Sequence, residues 1–132
     1  MAANVGIVLV SHSASLAEGT AELAGQVGGE TVTIATAGGT DDGRIGTSLA
    51  KISRAVQLAD AGAGVLILPD LGSSVLTVRA LLADPDDLPG QVVMADAPFV
   101  EGAVAAAVTA AGGGDLKAVL DAAQEARHAR KL

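Results

Sequence analysis

The sequence predicts an α/β fold: an open, mainly parallel, doubly wound sheet of four strands with helices on both faces. Three observations carry this. Short runs of Val, Ile and Leu recur along the chain, and each is followed by a longer stretch with helical spacing. The first of them, Val5 to Val10, is also apolar without alternation, the pattern of a strand buried on both sides by βαβ crossovers.

Val5-Gly-Ile-Val-Leu-Val10 is the first strand. Ser13-Ala-Ser15 caps a helix reaching about Val27, with Leu16, Leu23 and Val27 as its apolar set, and Gly28-Gly29 ends it. A second strand is Thr31-Val-Thr-Ile-Ala-Thr36, followed by a Gly/Asp loop from Ala37 to Ile45. Thr47 or Ser48 starts the next helix, whose apolar positions are Leu49, Ile52, Val56 and Leu58. Gly64-Val-Leu-Ile-Leu-Pro69 is the third strand, and Ser73 or Ser74 caps a helix through Leu82. Turn residues from Asp84 to Gly90 precede the fourth strand, Gln91-Val-Val-Met-Ala95. Two helices close the chain, Val100 to Ala111 and Asp115 to Ala129, the second ending in the basic Arg127-His-Ala-Arg-Lys131 that suits a helix C-terminus.

Composition narrows the function classes. A chain of 132 residues, 50% hydrophobic and 17% charged, fits one compact domain, residues 1–132. Net charge of −7, a single aromatic (Phe99) and the absence of Trp and Tyr argue against nucleic acid and anionic membrane as partners. No Cys is available for a disulfide, a thiolate metal site or a thiol nucleophile. Val5 to Val10 is too short for a signal core or a membrane span, so a cytoplasmic location is expected.

Ligands of open parallel sheets bind at the carboxyl ends of the strands. His12 stands there, flanked by Ser11 and Ser13 and followed by a helix start whose amides stabilise anions. An imidazole in that place can act as general base, metal ligand, phosphoryl-carrying nucleophile, or simply a strand-end residue bonded to its neighbours. The only other histidine, His128, sits in the basic tail, so a metal would depend on carboxylates, and no metal site is assigned. Leu71-Gly-Ser-Ser-Val75 lacks the second glycine of a nucleophile elbow, and no phosphate loop or dinucleotide fingerprint occurs. Asp70 follows strand three as His12 follows strand one. A carboxylate there can accept Nδ1–H and leave Nε2 to attack phosphorus, or it can cap the next helix.

Four segments in order, Val8-Leu-Val-Ser-His12-Ser, Gly39-Thr40-Asp-Asp to Ile45-Gly-Thr47, Asp70-Leu-Gly-Ser73 and Ala97-Pro-Phe-Val-Glu-Gly102, resemble the DhaM family. These are the phosphoryl-donor subunits of bacterial phosphoenolpyruvate-dependent dihydroxyacetone kinases, similar to the IIA domains of mannose-type sugar phosphotransferase systems. The resemblance implies that His12 is phosphorylated by the carrier protein HPr and passes the group to ADP on the DhaL subunit. Dihydroxyacetone is then phosphorylated on DhaK. It implies no cofactor bound by this chain itself, with ADP and ATP on the partner subunit. Carried over by position, His12 is the nucleophile, Asp70 orients it, and Gly39, Thr40 and Ser73 line the phosphoryl pocket. Arg44 and Arg79 are candidates for phosphate contact, but an exposed salt-bridging arginine is the commoner case. A homodimer exchanging an extra edge strand is implied too, and Ala95 to Phe99 is the candidate for that strand. Two alternatives stand beside this reading: the IIA component of a sugar transporter, and a flavodoxin-like binding module in which His12 is never modified.

Overall fold

A computed structural model of the chain describes residues 3–84, 86 and 88–132. The elements alternate as anticipated: β1 (Gly6–Ser11), α1 (Ala14–Gly28), β2 (Ile34–Gly38), α2 (Leu49–Ala59), β3 (Val65–Pro69), α3 (Ser73–Leu82), β4 (Val92–Met94), α4 (Phe99–Ala111) and α5 (Leu116–Glu125). A short 3-10 turn, Ala126–His128, follows α5 where a continuous helix was expected. The turn expected between Asp84 and Gly90 includes Pro85 and Asp87, which lie outside the described residues.

All strand pairs are parallel and the order is β2-β1-β3-β4. The chain steps from β1 to one side, then crosses back to β3 on the other, so the direction of winding reverses between β1 and β3. That reversal opens a crevice at the carboxyl ends of these two strands, where open α/β sheets place their ligands. His12 and Asp70 each stand one residue beyond one of them.

Side chains of the central strands divide by parity. Val5, Ile7 and Leu9, with Leu66 and Leu68, pack under α1, α4 and α5. Val8 and Val10, with Val65 and Ile67, pack under α2 and α3 against Ile52, Val56 and Val78. Alanines dominate the helical side of the first layer: Ala24, Ala103, Ala106, Ala107, Ala110 and Ala123 are fully buried. Close approach follows. A Cβ on Gly28 would lie 2.8 Å from that of Ala107, so α1 and α4 touch nearly backbone to backbone.

Four expectations change. The inward face of α1 is Ala17, Thr20 and Ala24, whereas Leu16, Leu23 and Val27 lie outside. Small residues are what the tight α1–α4 contact admits, and size outweighs hydropathy there. Leu49 and Leu58 of α2 are likewise exposed, leaving Ile52 and Val56 as its core residues. The second strand is displaced toward the C-terminus, running into Gly38 rather than ending at Thr36, because its pairing with β1 continues to Ser11. Finally, Ala95 to Phe99 is not a strand. Ala95 N–H still donates to the Ile67 carbonyl at 2.8 Å, but Pro98, with its fixed φ of −63°, is the N-cap of α4 and Phe99 is already helical. The sheet therefore has four strands among the described residues, as the fold class requires.

Gly6 is demanded by contact rather than by backbone angle, since a Cβ there would sit 2.0 Å from the Ala59 carbonyl oxygen. Gly6→Ala is expected to destabilise the fold by about 2–3 kcal/mol through displacement of α2, read as a lowered urea midpoint with unchanged slope.

Candidate active site

The residues between β1 and α1 form the first half of the site. Ser13 is the N-cap of α1, its hydroxyl accepting from Leu16 N–H at 3.2 Å, and this cap halts the strand so that His12 emerges at the crevice. Gly38 allows the end of β2 to approach closely, because a Cβ there would meet Ala14 Cα at 2.5 Å. The loop after β2 is bound back to β1 by Gly39 N–H to Ser11 carbonyl and Gly46 N–H to His12 carbonyl, both 3.0 Å.

The second half comes from β3 and α3. Asp70 N–H donates to the Val10 carbonyl at 2.9 Å, which continues the ladder and turns the carboxylate toward His12. Asp70 Oδ1 and Oδ2 lie 3.1 and 3.3 Å from His12 Nδ1. The same carboxylate accepts from the Ser11 hydroxyl at 3.0 Å, His12 N–H at 3.1 Å and Leu71 N–H at 2.7 Å. Burial raises the carboxyl's pKa, but the Ser74 hydroxyl, the two amides and the Ser11 hydroxyl together outweigh it and hold the pKa below the usual carboxylate range. Asp70 is thus anionic and accepts only, so Nδ1 carries the ring proton and Nε2 presents a lone pair.

That lone pair is engaged. Ser73 Oγ lies 2.6 Å from Nε2, the hydroxyl donating to it. Gly72, with φ of 51°, is the N-cap of α3 and supplies no side-chain bond, which leaves Ser73 and Ser74 free of capping duty, contrary to the sequence expectation. Ser73 is exposed, whereas Ser74 is wholly buried with its Oγ 3.2 Å from Nδ1. Among the described residues the amides of Gly72 and Ser73 donate to no protein acceptor. Both belong to the helix end whose N–H groups project outward, a ready anion site.

His12, Asp70 and Ser73 are therefore brought together. Gly39 and Thr40 are nearby in the fold but otherwise committed: Gly39 N–H serves Ser11, Thr40 N–H serves the Arg44 carbonyl at 2.9 Å, and the Thr40 hydroxyl donates to Asp42. Arg44 pairs with Asp42 at 3.2 Å, both well exposed, and Arg79 is exposed on α3. His128 is exposed in the 3-10 turn at the end of α5. Ser11 and Ser74 were not anticipated as contributors. Their signal was weak, since an adjacent serine at a strand end and a second serine in a helix start read as ordinary cap chemistry.

Comparisons with known proteins fit this geometry. The profile of EIIA-man, described as the PTS system fructose IIA component, matches residues 6–120. The chain belongs to the EIIA-man family. It is 37% identical over 132 residues to "PEP-dependent dihydroxyacetone kinase, phosphoryl donor subunit DhaM" of Providencia stuartii, a match covering 96% of this chain but 28% of that protein. A second relative of that description, subunit DhaM of dihydroxyacetone kinase 2 from Listeria innocua, is 39% identical over 105 residues, covering 79% of this chain and 84% of its own length. The crystal structure of EF1359, described as of unknown function, superposes with a TM-score of 0.80 at 38% identity, covering 92% of this chain and 94% of that one. Over most of its length the chain is thus similar to DhaM-type EIIA domains.

Because the folded Asp70 titrates below its ordinary value of 3.8, its contribution to stability is complete above that pH and is lost as pH falls through the lower folded value. Asp70→Asn, which leaves several donors without their anionic acceptor, is expected to cost about 1–3 kcal/mol at pH 7. The gap from the wild type should begin to narrow in denaturation curves as pH falls below 3.8, where the unfolded carboxylate takes up its proton, and close only below the lower folded value, where the native carboxylate is protonated too.

Proposed function

We propose that this domain is a phosphohistidine carrier that accepts a phosphoryl group on His12 Nε2 from phosphorylated HPr. It hands the group to ADP held on a DhaL-type subunit, and the ATP formed there phosphorylates dihydroxyacetone bound on DhaK. One observation carries the reading: Asp70, held anionic at the end of β3, fixes the Nδ1–H tautomer and leaves Nε2 as the nucleophile. The family supports the same chemistry, and the name of the Providencia stuartii relative points to dihydroxyacetone kinase rather than to a sugar permease.

In the first transfer the Nε2 lone pair attacks phosphorus in line as the phosphorus–nitrogen bond to the donor histidine breaks. The ring keeps its Nδ1 proton, and Asp70 stabilises the positive character that phosphorylation brings to the imidazole. Ser73 gives up its bond to Nε2 and turns its O–H to a phosphoryl oxygen. The amides of Gly72 and Ser73 at the start of α3 complete the cradle. Gly39 and Thr40, with their donors already spent in the loop, shape the rim of the pocket rather than grip the anion. In the second transfer a terminal phosphate oxygen of ADP attacks phosphorus, the Nε2–P bond breaks and the nitrogen recovers its lone pair. A net charge of −7 repels a free nucleotide, which is why the acceptor is presented by another protein.

Incubation with phosphoenolpyruvate, enzyme I and HPr is expected to place acid-labile phosphate on His12 and nowhere else, and His12→Ala should take no label. Ser73→Ala should slow labelling about tenfold, the loss of one hydrogen bond to a charged group. Discharge should require the ADP-loaded DhaL subunit. Loss of label to a mannose-type IIB protein instead would favour the transporter reading, and rapid discharge by ADP alone would overturn both.

A further inference from the structure

We infer that Ser74 is a positioning residue of this site, its buried hydroxyl facing His12 Nδ1 and holding, together with the Asp70 carboxylate, the tautomer and plane of the His12 ring. The consequence for transfer rests on the phosphohistidine reading, whereas the consequence for the ring does not.

Ser74 is fully buried in the first turn of α3, where a serine ordinarily caps the helix. Its hydroxyl has no such duty here. Gly72 occupies the cap, and the Ser74 amide closes onto the Leu71 carbonyl at 3.1 Å. The hydroxyl instead faces His12, with Oγ 3.2 Å from Nδ1.

Counting protons assigns its role. Asp70 approaches Nδ1 with both oxygens and can only accept, so the proton between them belongs to Nδ1. Nδ1 then has no lone pair for Ser74 to reach. The Ser74 oxygen therefore turns a lone pair to the Nδ1–H, which it shares with the carboxylate, and its hydroxyl is one of the groups that favour the ionised form of Asp70. Rotation of the ring away from Asp70 forfeits the Ser74 contact as well. Asp70 is the only ionisable side chain within hydrogen-bonding distance of the ring among the described residues. The two serines thereby divide the imidazole. Exposed Ser73 attends Nε2 and is displaced when phosphorus arrives, and buried Ser74 attends Nδ1 and stays in place.

The test uses the full chain, with ring ¹⁵N signals for the tautomer of His12 and carboxyl ¹³C signals for the titration of Asp70. The wild type should show the neutral ring as Nδ1–H. In Ser74→Ala the Asp70 midpoint should rise by about half a pH unit, the loss of one neutral hydrogen bond, and an Nε2–H population should appear. Labelling through HPr should slow roughly threefold to tenfold, with little further loss when Ser74→Ala is added to Asp70→Asn. Ser74→Thr, which keeps the hydroxyl, should restore both signals. A folded Ser74→Ala protein with unchanged Asp70 midpoint and unchanged tautomer would overturn the inference. So would a wild-type ring found as Nε2–H, a result that needs no variant. If the wild type takes no label from HPr, the carrier reading fails while the ring and carboxyl signals still decide the role of Ser74.

Discussion

A carboxylate held in a crevice between two strand ends is the interaction on which this molecule's arrangement turns. Asp70 gathers donors from β1, from the backbone that follows it and from its own turn, and opposes them to a single imidazole nitrogen. No one of these bonds is strong by itself in water. Collected on one partly buried anion, they outweigh the penalty of burial and keep the charge where the ring needs it. The sheet order makes this possible, because only strands that are neighbours across the reversal of winding can end side by side with their loops leading to opposite faces.

The fold was legible because the runs of β1 and β3 are long enough and apolar enough to be buried on both faces, and the segments between elements are punctuated by serine, glycine or proline. Where reading failed, a local pattern was overruled by a neighbour in space. Leu16, Leu23 and Val27 have the spacing of a core face, yet the alanines of α4 come so close that only Ala17, Thr20 and Ala24 fit between the layers. Ala95 to Phe99 offered apolar residues for a strand, and Pro98 turned them into a helix entry.

The site was half legible. His12 and Asp70 were found by their positions just past strands one and three, an argument that needs only topology. Ser73 came with the family motif, and its bond to Nε2 is a fact of rotamer and helix start that no spacing reveals. Ser11 and Ser74 were hidden because a buried hydroxyl and a capping hydroxyl look alike in one dimension. Gly39 and Thr40 illustrate the reverse. A Gly-Thr-Asp-Asp stretch suggests amides and hydroxyls offered to a ligand, but these groups are consumed in holding the loop to β1 and to itself.

The alanine lining of α4 also shapes how the gene can change. Single-base changes in an alanine codon lead to valine, threonine, serine, proline, aspartate, glutamate or glycine, and all but glycine enlarge the side chain. At Ala103, Ala106, Ala107 and Ala110, each with no exposed surface, nearly every random substitution is therefore an intrusion into a filled space rather than a hole left in one. Drift on this side of the sheet is confined to the outward positions of α1 and α4, where Leu23, Val27 and Val108 already face solvent. Lineages that carry the same strand ends and the same histidine are then free to differ most in the skin of those two helices, and least in the layer beneath it.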